Sequence, residues 1–239
     1  MIIICPECGR GISSFADSCP NCGLPRSMFF KAANQRSINN MEFVDLGLPS
    51  GTLWATKNVG AKSPYDKGMY FAWADSEVKE DYTWENYKYF LGFHIAESNK
   101  VPRLSKYTGH IRLGIVDNIS FMEPCDDPAS VYNDMSSMTP SYEQFKELFE
   151  NCKMSREYTK GVNGIQLVGP NGNKLFLIAT GYITGTKILK EKCPVFWHNR
   201  CNSYGYDNAG CFSTTDFADN YCTFSPERCC GVPIRPVRR

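Results

Sequence analysis

Short apolar and β-prone runs, separated by turn-forming residues, occur along much of the chain and predict strands joined by turns. Two apolar runs within residues 44–59 flank a Leu-Pro-Ser-Gly turn, and the aromatic run at 69–73 predicts a further strand. Residues 165–168 and 174–179 flank a Gly-Pro-Asn-Gly sequence, which predicts a hairpin because Asn and Gly tolerate the positive φ of tight turns.

One segment has the spacing of an amphipathic helix. Thr139 is the expected N-cap, and Pro140 suits the first helical position, where its missing N–H costs nothing. The apolar stripe comprises Tyr142, Phe145, Leu148, Phe149 and Cys152. We expect this stripe to face the core.

The C-terminal region, about 193–239, predicts four short strands in under fifty residues. The β-prone runs are 196–197, 211–212, 221–224 and 232–237, separated by clusters of Asn, Ser, Gly and Asp. The small polar residues and tyrosines between them are those that recognition loops use.

Residues 198–226 contain no Lys, Glu, Gln, Met or Trp. At the chain's own composition, about 0.3% of windows of this length lack all five types. Every residue type in the window can be encoded by a codon that ends in a pyrimidine. This is the set that arises when the first two bases of an Asn codon, AAC or AAT, are randomised. A polar strand-and-turn region poor in helix formers explains the same gap, so both interpretations stay open.

The composition limits the size of the fold and the classes of partner that we expect. The chain has 239 residues, 42% of them hydrophobic, which suits one large β-rich domain and a small appendage. The 26 basic residues nearly balance 25 acidic ones, so charge favours neither nucleic-acid nor membrane-surface binding. No apolar run has membrane-spanning length and no signal-peptide core precedes the first cysteines, so we expect a cytoplasmic location.

The N-terminus carries two C-x2-C pairs with ten residues between them. Cys5 and Cys8 form the first pair, and Cys19 and Cys22 the second. Four thiolates in this pattern suit structural Zn²⁺, and a Gly after each pair allows backbone amides to point at the sulfurs. Residues 1–26 therefore predict a zinc ribbon whose folding depends on the metal. A redox dithiol is the alternative, although such motifs are rarely duplicated.

Residues 27–40 lack a clear pattern and are expected to link the ribbon to a main domain at 41–239. Within that domain, residues 75–122 have aromatic residues among charges and predict an extended insertion. No C-x2-C pair recurs in the tail, so its cysteines are expected to be free thiols rather than metal ligands. No serine elbow, phosphate loop or His-rich metal motif is present, so we do not expect an enzyme.

The main domain resembles a known family in several ordered motifs. These are VDLGLPSGTLWATKNVGA from Val44, YFAW from Tyr70, EPCDD from Glu123, GIQLVGPNG from Gly164, and RPVR from Arg235. Together with TPSYEQFKEL they resemble the major paralogous domain of gut and rumen bacteria, within the C-type-lectin-like superfamily. The resemblance implies an α+β, C-type-lectin-like fold of the formylglycine-generating-enzyme type.

The superfamily also includes variable proteins of diversity-generating retroelements, and the composition of the tail resembles theirs. That resemblance implies a changeable binding face for a protein or glycan ligand, of bacterial or phage origin. The candidate contact residues are His198, Asn199, Arg200, Asn202, Ser203, Tyr204, Tyr206, Asp207, Asn208, Ser213, Thr214, Asp216, Asp219, Asn220 and Tyr221. We expect them to be largely exposed on one surface, with Phe196, Trp197, Ile234 and Val237 as anchors beneath.

Two other functions remain open. An undiversified member would have a fixed ligand, and its zinc ribbon would recruit a protein or nucleic-acid partner. A formylglycine-generating-type oxidase would need a cysteine pair, such as Cys201 with Cys211 or Cys222 with Cys229, although the flanking sequences do not match. The sugar-binding Glu-Pro-Asn and Trp-Asn-Asp signatures are absent, so Asp126, Asp127 and Asp134 do not predict calcium-dependent sugar binding.

Overall fold

The computed structural model describes residues 2–4, 10–13, 16–25, 41–96, 99–202, 207–214 and 220–239. Strands predominate, with few helices, so the chain is α+β with a mainly β character. The strands are β1 (Ile2–Ile4), β2 (Gly11–Ser13), β3 (Phe43–Asp45), β4 (Leu53–Ala55), β5 (Phe90–Ala96), β6 (Asn99–Leu104), β7 (Lys153–Thr159), β8 (Val162–Val168), β9 (Lys174–Ile178), β10 (Tyr182–Thr184), β11 (Lys187–Leu189), β12 (Val195–Cys201), β13 (Ala209–Thr214), β14 (Tyr221–Phe224) and β15 (Val237–Arg238). The helices are α1 (Pro128–Tyr132) and α2 (Tyr142–Asn151), with 3-10 turns at Trp84–Asn86 and Ile111–Leu113.

The strands form small antiparallel sheets. Among the described residues, three sheets have two strands each, β1-β2, β5-β6 and β10-β11, and three have three strands, β3-β4-β15, β7-β8-β9 and β12-β13-β14. In the sheet β3-β4-β15, Val237 pairs with Trp54, so the last strand closes on strands from the start of the main domain. Trp54 of β4 is buried, so its side chain packs this sheet against the core.

The predicted hairpin at 165–179 is confirmed by the pairing of β8 with β9. The turn at 48–51 is also confirmed, since Gly51 N–H donates to Leu48 O at 2.9 Å between β3 and β4. The strand predicted at 69–73 is wrong. Phe71 makes an isolated bridge to Val232, and the positive φ of 55° at Ala74 turns the chain away.

Helix α2 begins later than predicted. Its N-cap is Ser141, whose hydroxyl accepts from Gln144 N–H while the Gln144 side chain accepts from Ser141 N–H. This reciprocal capping box satisfies two free donors of the first turn. Thr139 is unavailable as a cap because its amide and hydroxyl both donate to the buried Asp127 carboxylate.

The C-terminal strands are confirmed at three of the four predicted places, in β12, β13 and β14. The predicted strand at 232–237 is wrong except at its end, where β15 begins. Pro233 and Pro236 have no N–H to donate to a ladder, so the part of this segment before β15 makes one isolated bridge, between Val232 and Phe71.

Two hydrophobic clusters form the core within the described part of the chain. The larger cluster contains Trp73 and Trp197, together with aromatic residues from the insertion at 75–122, such as Tyr87 and Tyr107. The smaller cluster packs Phe145 and Leu148 of α2 against β8 and β9. The insertion is therefore part of the core, although its packing was not evident from the sequence.

Candidate functional site

The sheet β12-β13-β14, called here the tail sheet, lies between the two hydrophobic clusters. Trp197 and Cys211 belong to the larger cluster, whereas the neighbouring Phe196 and Phe212 belong to the smaller one. Successive side chains of a strand point to opposite faces, so both faces of this sheet are covered. The predicted anchors Phe196, Trp197, Ile234 and Val237 are confirmed as buried.

Three predicted contact residues are buried, which corrects the expectation that they face solvent. His198, Ser213 and Thr214 are 9%, 2% and 5% exposed. The reason is that both faces of the tail sheet are packed, so even polar residues of its strands are enclosed. His198 lies over Gly210, where a Cβ would come within 1.8 Å of the imidazole Nε2. Glycine at 210 therefore makes room for this ring.

The environment of His198 is largely apolar. Its ring centroid lies 6.0 Å from that of Tyr142 and 6.1 Å from that of Phe212, and its Nδ1 accepts from Arg200 N–H at 3.2 Å. Burial lowers the pKa of His198 to about 4, only partly opposed by Glu143. The ring is therefore neutral at physiological pH and belongs to the core rather than to a binding surface.

The other candidates divide by exposure. Arg200, Asn202 and Asn220 are exposed, and Asn199, Asp207, Asn208 and Tyr221 are half-buried. Ser203, Tyr204, Tyr206, Asp216 and Asp219 lie outside the described residues.

The described candidates do not form one cluster, which corrects a second expectation. Asn208 bridges Glu227 at one end of β13, while Thr214 pairs with Tyr221 at the other end. Six residues of strand separate these ends by roughly 20 Å. The hairpin connections of β12-β13 and β13-β14 necessarily leave opposite ends of β13, so the tail has two separate recognition candidates.

One of these ends is held by a buried arginine. The guanidinium of Arg228, which is fully buried, donates to Tyr107 O at 2.8 Å, Asn202 O at 2.7 Å and Asn208 O at 3.4 Å. The Arg228 backbone N–H also donates to Asp207 O at 3.0 Å. The segment 202–208, called here the clamped loop, is therefore anchored at both stems through main-chain carbonyls.

An exposed aromatic residue lies beside the same end. Phe121 forms a β-bridge with Arg200, and the Arg200 guanidinium lies 5.4 Å from the Phe121 ring centroid. Cys201 N–H donates to Ser120 O at 2.9 Å, so residues 120–121 extend the edge of the tail sheet. Phe121 is 52% exposed, so part of its ring is available for contact beside the loop.

The opposite end is dominated by packing. The Tyr221 ring is stacked on Phe149 with centroids 5.1 Å apart, and its hydroxyl lies 3.5 Å from Glu150 Oε1. The Tyr221 side chain therefore packs against α2 and contributes to the fold. Only Asn220 is fully exposed among the candidates described there.

A network of charged side chains around Asp126 was not predicted from the sequence. The Asp126 carboxylate is nearly buried and accepts from Lys88 Nζ at 2.6 Å, Lys106 Nζ at 2.6 Å and Tyr107 hydroxyl at 2.7 Å. Burial raises the pKa of Asp126, but the lysine and tyrosine hydrogen bonds outweigh it and lower the pKa to about 2. Two ammonium groups already neutralise this carboxylate, so its surroundings do not suit calcium.

The four tail cysteines considered for oxidase chemistry, Cys201, Cys211, Cys222 and Cys229, are free thiols. Cys201 pairs with Ala209 and Cys211 with Trp197, so these two thiols are not cross-strand partners. Burial raises the pKa of Cys201 to about 11 and that of Cys211 well above its usual value. Protonated thiols are poor nucleophiles, so this pair lacks the activation that cysteine chemistry needs.

The second N-terminal cysteine pair has a tight turn. Gly23 N–H donates to Cys19 O at 2.8 Å, and Cys19 N–H donates to Leu24 O at 2.7 Å. The φ of 76° at Gly23 is a conformation that glycine adopts readily. This turn fits a zinc knuckle at Cys19 and Cys22. Cys5 and Cys8 lie outside the described residues, as does the predicted linker at 27–40.

Comparisons with protein-family models, with curated proteins and with solved structures each find no match to this chain. Among the described helices, none has the length and apolar character needed to cross a membrane.

Proposed function

We propose that this chain is a ligand-binding protein whose C-terminal region, within a C-type-lectin-like domain, displays changeable side chains on the clamped loop. The observation that carries the proposal is the anchoring of that loop by Arg228. Arg228 lies outside the unusual 198–226 window and holds the loop through backbone carbonyls. Because every residue type has these carbonyls, side chains can change without loss of the anchor.

The chemistry of the exposed surface favours a protein as the ligand. Arg200 and Phe121 combine a cation with an exposed aromatic ring beside the loop. Arginine and large aromatic residues dominate the energetics of protein interfaces, whereas small polar residues supply adaptable contacts around them. Tyr204 and Tyr206, within the same loop, are also of a residue type that is common at protein interfaces.

The proposal keeps the N-terminal zinc ribbon as a separate unit that binds Zn²⁺ through Cys5, Cys8, Cys19 and Cys22. Its two pairs would complete a tetrahedral thiolate site. In a diversified protein the ribbon would hold a constant partner while the loop meets a changing one. A member with a fixed ligand would use the same two units without variation in the tail.

Comparison of sister copies of the gene from related genomes tests the proposal. We expect amino-acid differences to concentrate in the 198–226 window, at exposed positions such as Asn202 and Asn220. The buried positions His198, Ser213 and Thr214 serve as internal controls and should stay constant. Differences spread evenly over 41–239, or a constant window, would favour the fixed-ligand alternative.

A further inference from the structure

Two groups of metal-binding side chains occur in the described part of the chain. Glu123, Cys125 and Asp126 form one group, and Glu227, Cys229 and Cys230 form the other. In each group the donor atoms lie within 4.8 Å of one another. Their electrostatic surroundings differ, and that difference decides between them.

Lysines already occupy the first group. Lys106 forms ion pairs with both Glu123 and Asp126, and Lys88 forms a second ion pair with Asp126. A metal ion there would have to displace two ammonium groups from a nearly buried carboxylate. This group is therefore a salt-bridge network rather than a metal site.

The second group has no such competitor among the described residues. Glu227 Oε1 accepts from the Trp84 indole N–H at 3.2 Å, while its Oε2 lies 3.9 Å from Cys229 Sγ. The nearby guanidinium of Arg228 donates to main-chain carbonyls. One carboxylate oxygen therefore faces the Cys229 thiol, and the Cys230 sulfur lies within 4.8 Å of the same group.

We propose that Glu227, Cys229 and Cys230 form a binding site for a thiophilic divalent cation, with Zn²⁺ as the ion that suits these ligands. A tetrahedral zinc site with sulfur and oxygen ligands separates its donor atoms by about 3.5 to 3.8 Å. The donor atoms of Glu227, Cys229 and Cys230 lie within 4.8 Å of one another, so they would have to approach by about 1 Å or less to reach these distances. Glu227 is exposed, so rotation of its side chain can adjust the separation of its carboxylate from the two sulfurs.

The backbone of the site is already ordered for such binding. Residues 227–230 form a turn closed by Cys230 N–H donating to Glu227 O at 3.0 Å. Trp73 N–H donates to Arg228 O at 2.8 Å, and Gly231 exchanges two hydrogen bonds with Ile183. Cys229 and Cys230 are each 3% exposed, so their sulfurs are held in a shielded position. Preorganisation of this kind reduces the ordering cost of binding.

The site lies at the base of the clamped loop, because Asn208 bridges Glu227 and Asp207 O accepts from Arg228 N–H. Three protein ligands leave the fourth tetrahedral position to water or to a donor atom of a ligand. This inference does not depend on the proposed function of the loop, since the three ligands lie outside the 198–226 window.

Metal binding to the full chain tests the inference. The N-terminal cysteines are removed as competitors by Cys5→Ser, Cys8→Ser, Cys19→Ser and Cys22→Ser, and the reduced protein is titrated with Zn²⁺ and Co²⁺. We expect one equivalent of metal, with a thiolate-to-cobalt charge-transfer band. Adding Cys229→Ser and Cys230→Ser should abolish both the uptake and the band.

Glu227→Gln provides a variant that keeps the thiols and alters only an exposed side chain. Loss of a partner in the outer shell of a metal site weakens affinity about 10- to 100-fold, so loss of a direct ligand should weaken it at least tenfold. Cys222→Ser is the matched control, because Cys222 is a half-buried tail thiol outside the group, and it should leave affinity unchanged. Absence of metal uptake by the four-serine chain with native tryptophan fluorescence would overturn the inference, as would uptake that survives loss of Cys229 and Cys230.

If the four-serine chain does not fold, the wild-type sequence gives the same answer. Zinc content then has to fall by one equivalent in Cys229→Ser, Cys230→Ser relative to wild type. Equal zinc content in the two proteins would refute the site.

Discussion

Replacement of Arg228 by methionine is expected to lower the free energy of unfolding by about 3 kcal/mol. The change keeps most of the side-chain volume but leaves the carbonyls of Tyr107, Asn202 and Asn208 without their guanidinium donor. Each buried acceptor that loses its partner costs about 1 to 3 kcal/mol, and relief of the buried charge offsets part of this sum. Urea denaturation followed by tryptophan fluorescence measures the effect.

Arg200→Met is the matched control for this variant. Arg200 is exposed, and exposed substitutions usually change stability by less than about 0.5 kcal/mol. Tryptophan fluorescence reports the main domain specifically because Trp54, Trp73, Trp84 and Trp197 all lie within it. Equal losses in the two variants would show that Arg228 is not the anchor of the loop.

Stability of the main domain is expected to fall by about 3 kcal/mol between pH 6.5 and pH 4 because of His198. Burial lowers the pKa of His198 to about 4 in the folded protein, whereas an unfolded histidine has a pKa near 6.5. In this range the unfolded chain takes up a proton that the folded chain does not bind. The unfolded state is therefore favoured as the pH falls, and the effect levels off below the folded pKa.

His198→Gln should remove this part of the pH dependence, whatever its effect on stability at neutral pH. His110→Gln is the matched control, because His110 is exposed and its loss should preserve the slope. Unfolding free energies from urea denaturation at intervals between pH 4 and pH 7 give the comparison. A wild-type slope that survives in His198→Gln would mean that another group titrates in this range.

Local patterns predicted local structure well. The two β-prone runs flanking the Gly-Pro-Asn-Gly sequence predicted the pairing of β8 with β9, and the apolar stripe predicted the buried face of α2. The position of the N-cap was missed because the long-range bond from Thr139 to Asp127 removes the obvious candidate. Such contacts depend on the fold and are not visible in a short window.

The burial of the tail sheet shows where composition misleads. Residues 198–226 are polar enough to suggest a surface, yet Val195, Phe196 and Trp197 form a continuous apolar run before them. A run of this kind is typical of a strand buried on both faces, and it was the available sign that β12 is enclosed. Its neighbours His198, Ser213 and Thr214 are enclosed with it.

The role of Arg228 had no local signal. It stands alone between Glu227 and two cysteines, and nothing in that spacing indicates three main-chain acceptors. The division of the tail into two ends likewise follows from strand order, which places Asn208 and Tyr221 at opposite ends of β13. Only the assembled sheet reveals either feature.

The central claim is that the clamped loop is held by its main chain, so that its side chains are free to vary. The most direct measurement is the unfolding free energy of a variant that combines Tyr204→Ala, Tyr206→Ala and Asp207→Ala, with Arg228 intact and zinc present. We expect a change of no more than about 0.5 kcal/mol for each replaced side chain, because on this account the loop side chains do not support the fold. A loss as large as that expected for Arg228→Met would contradict the claim, because the loop side chains would then be part of the fold.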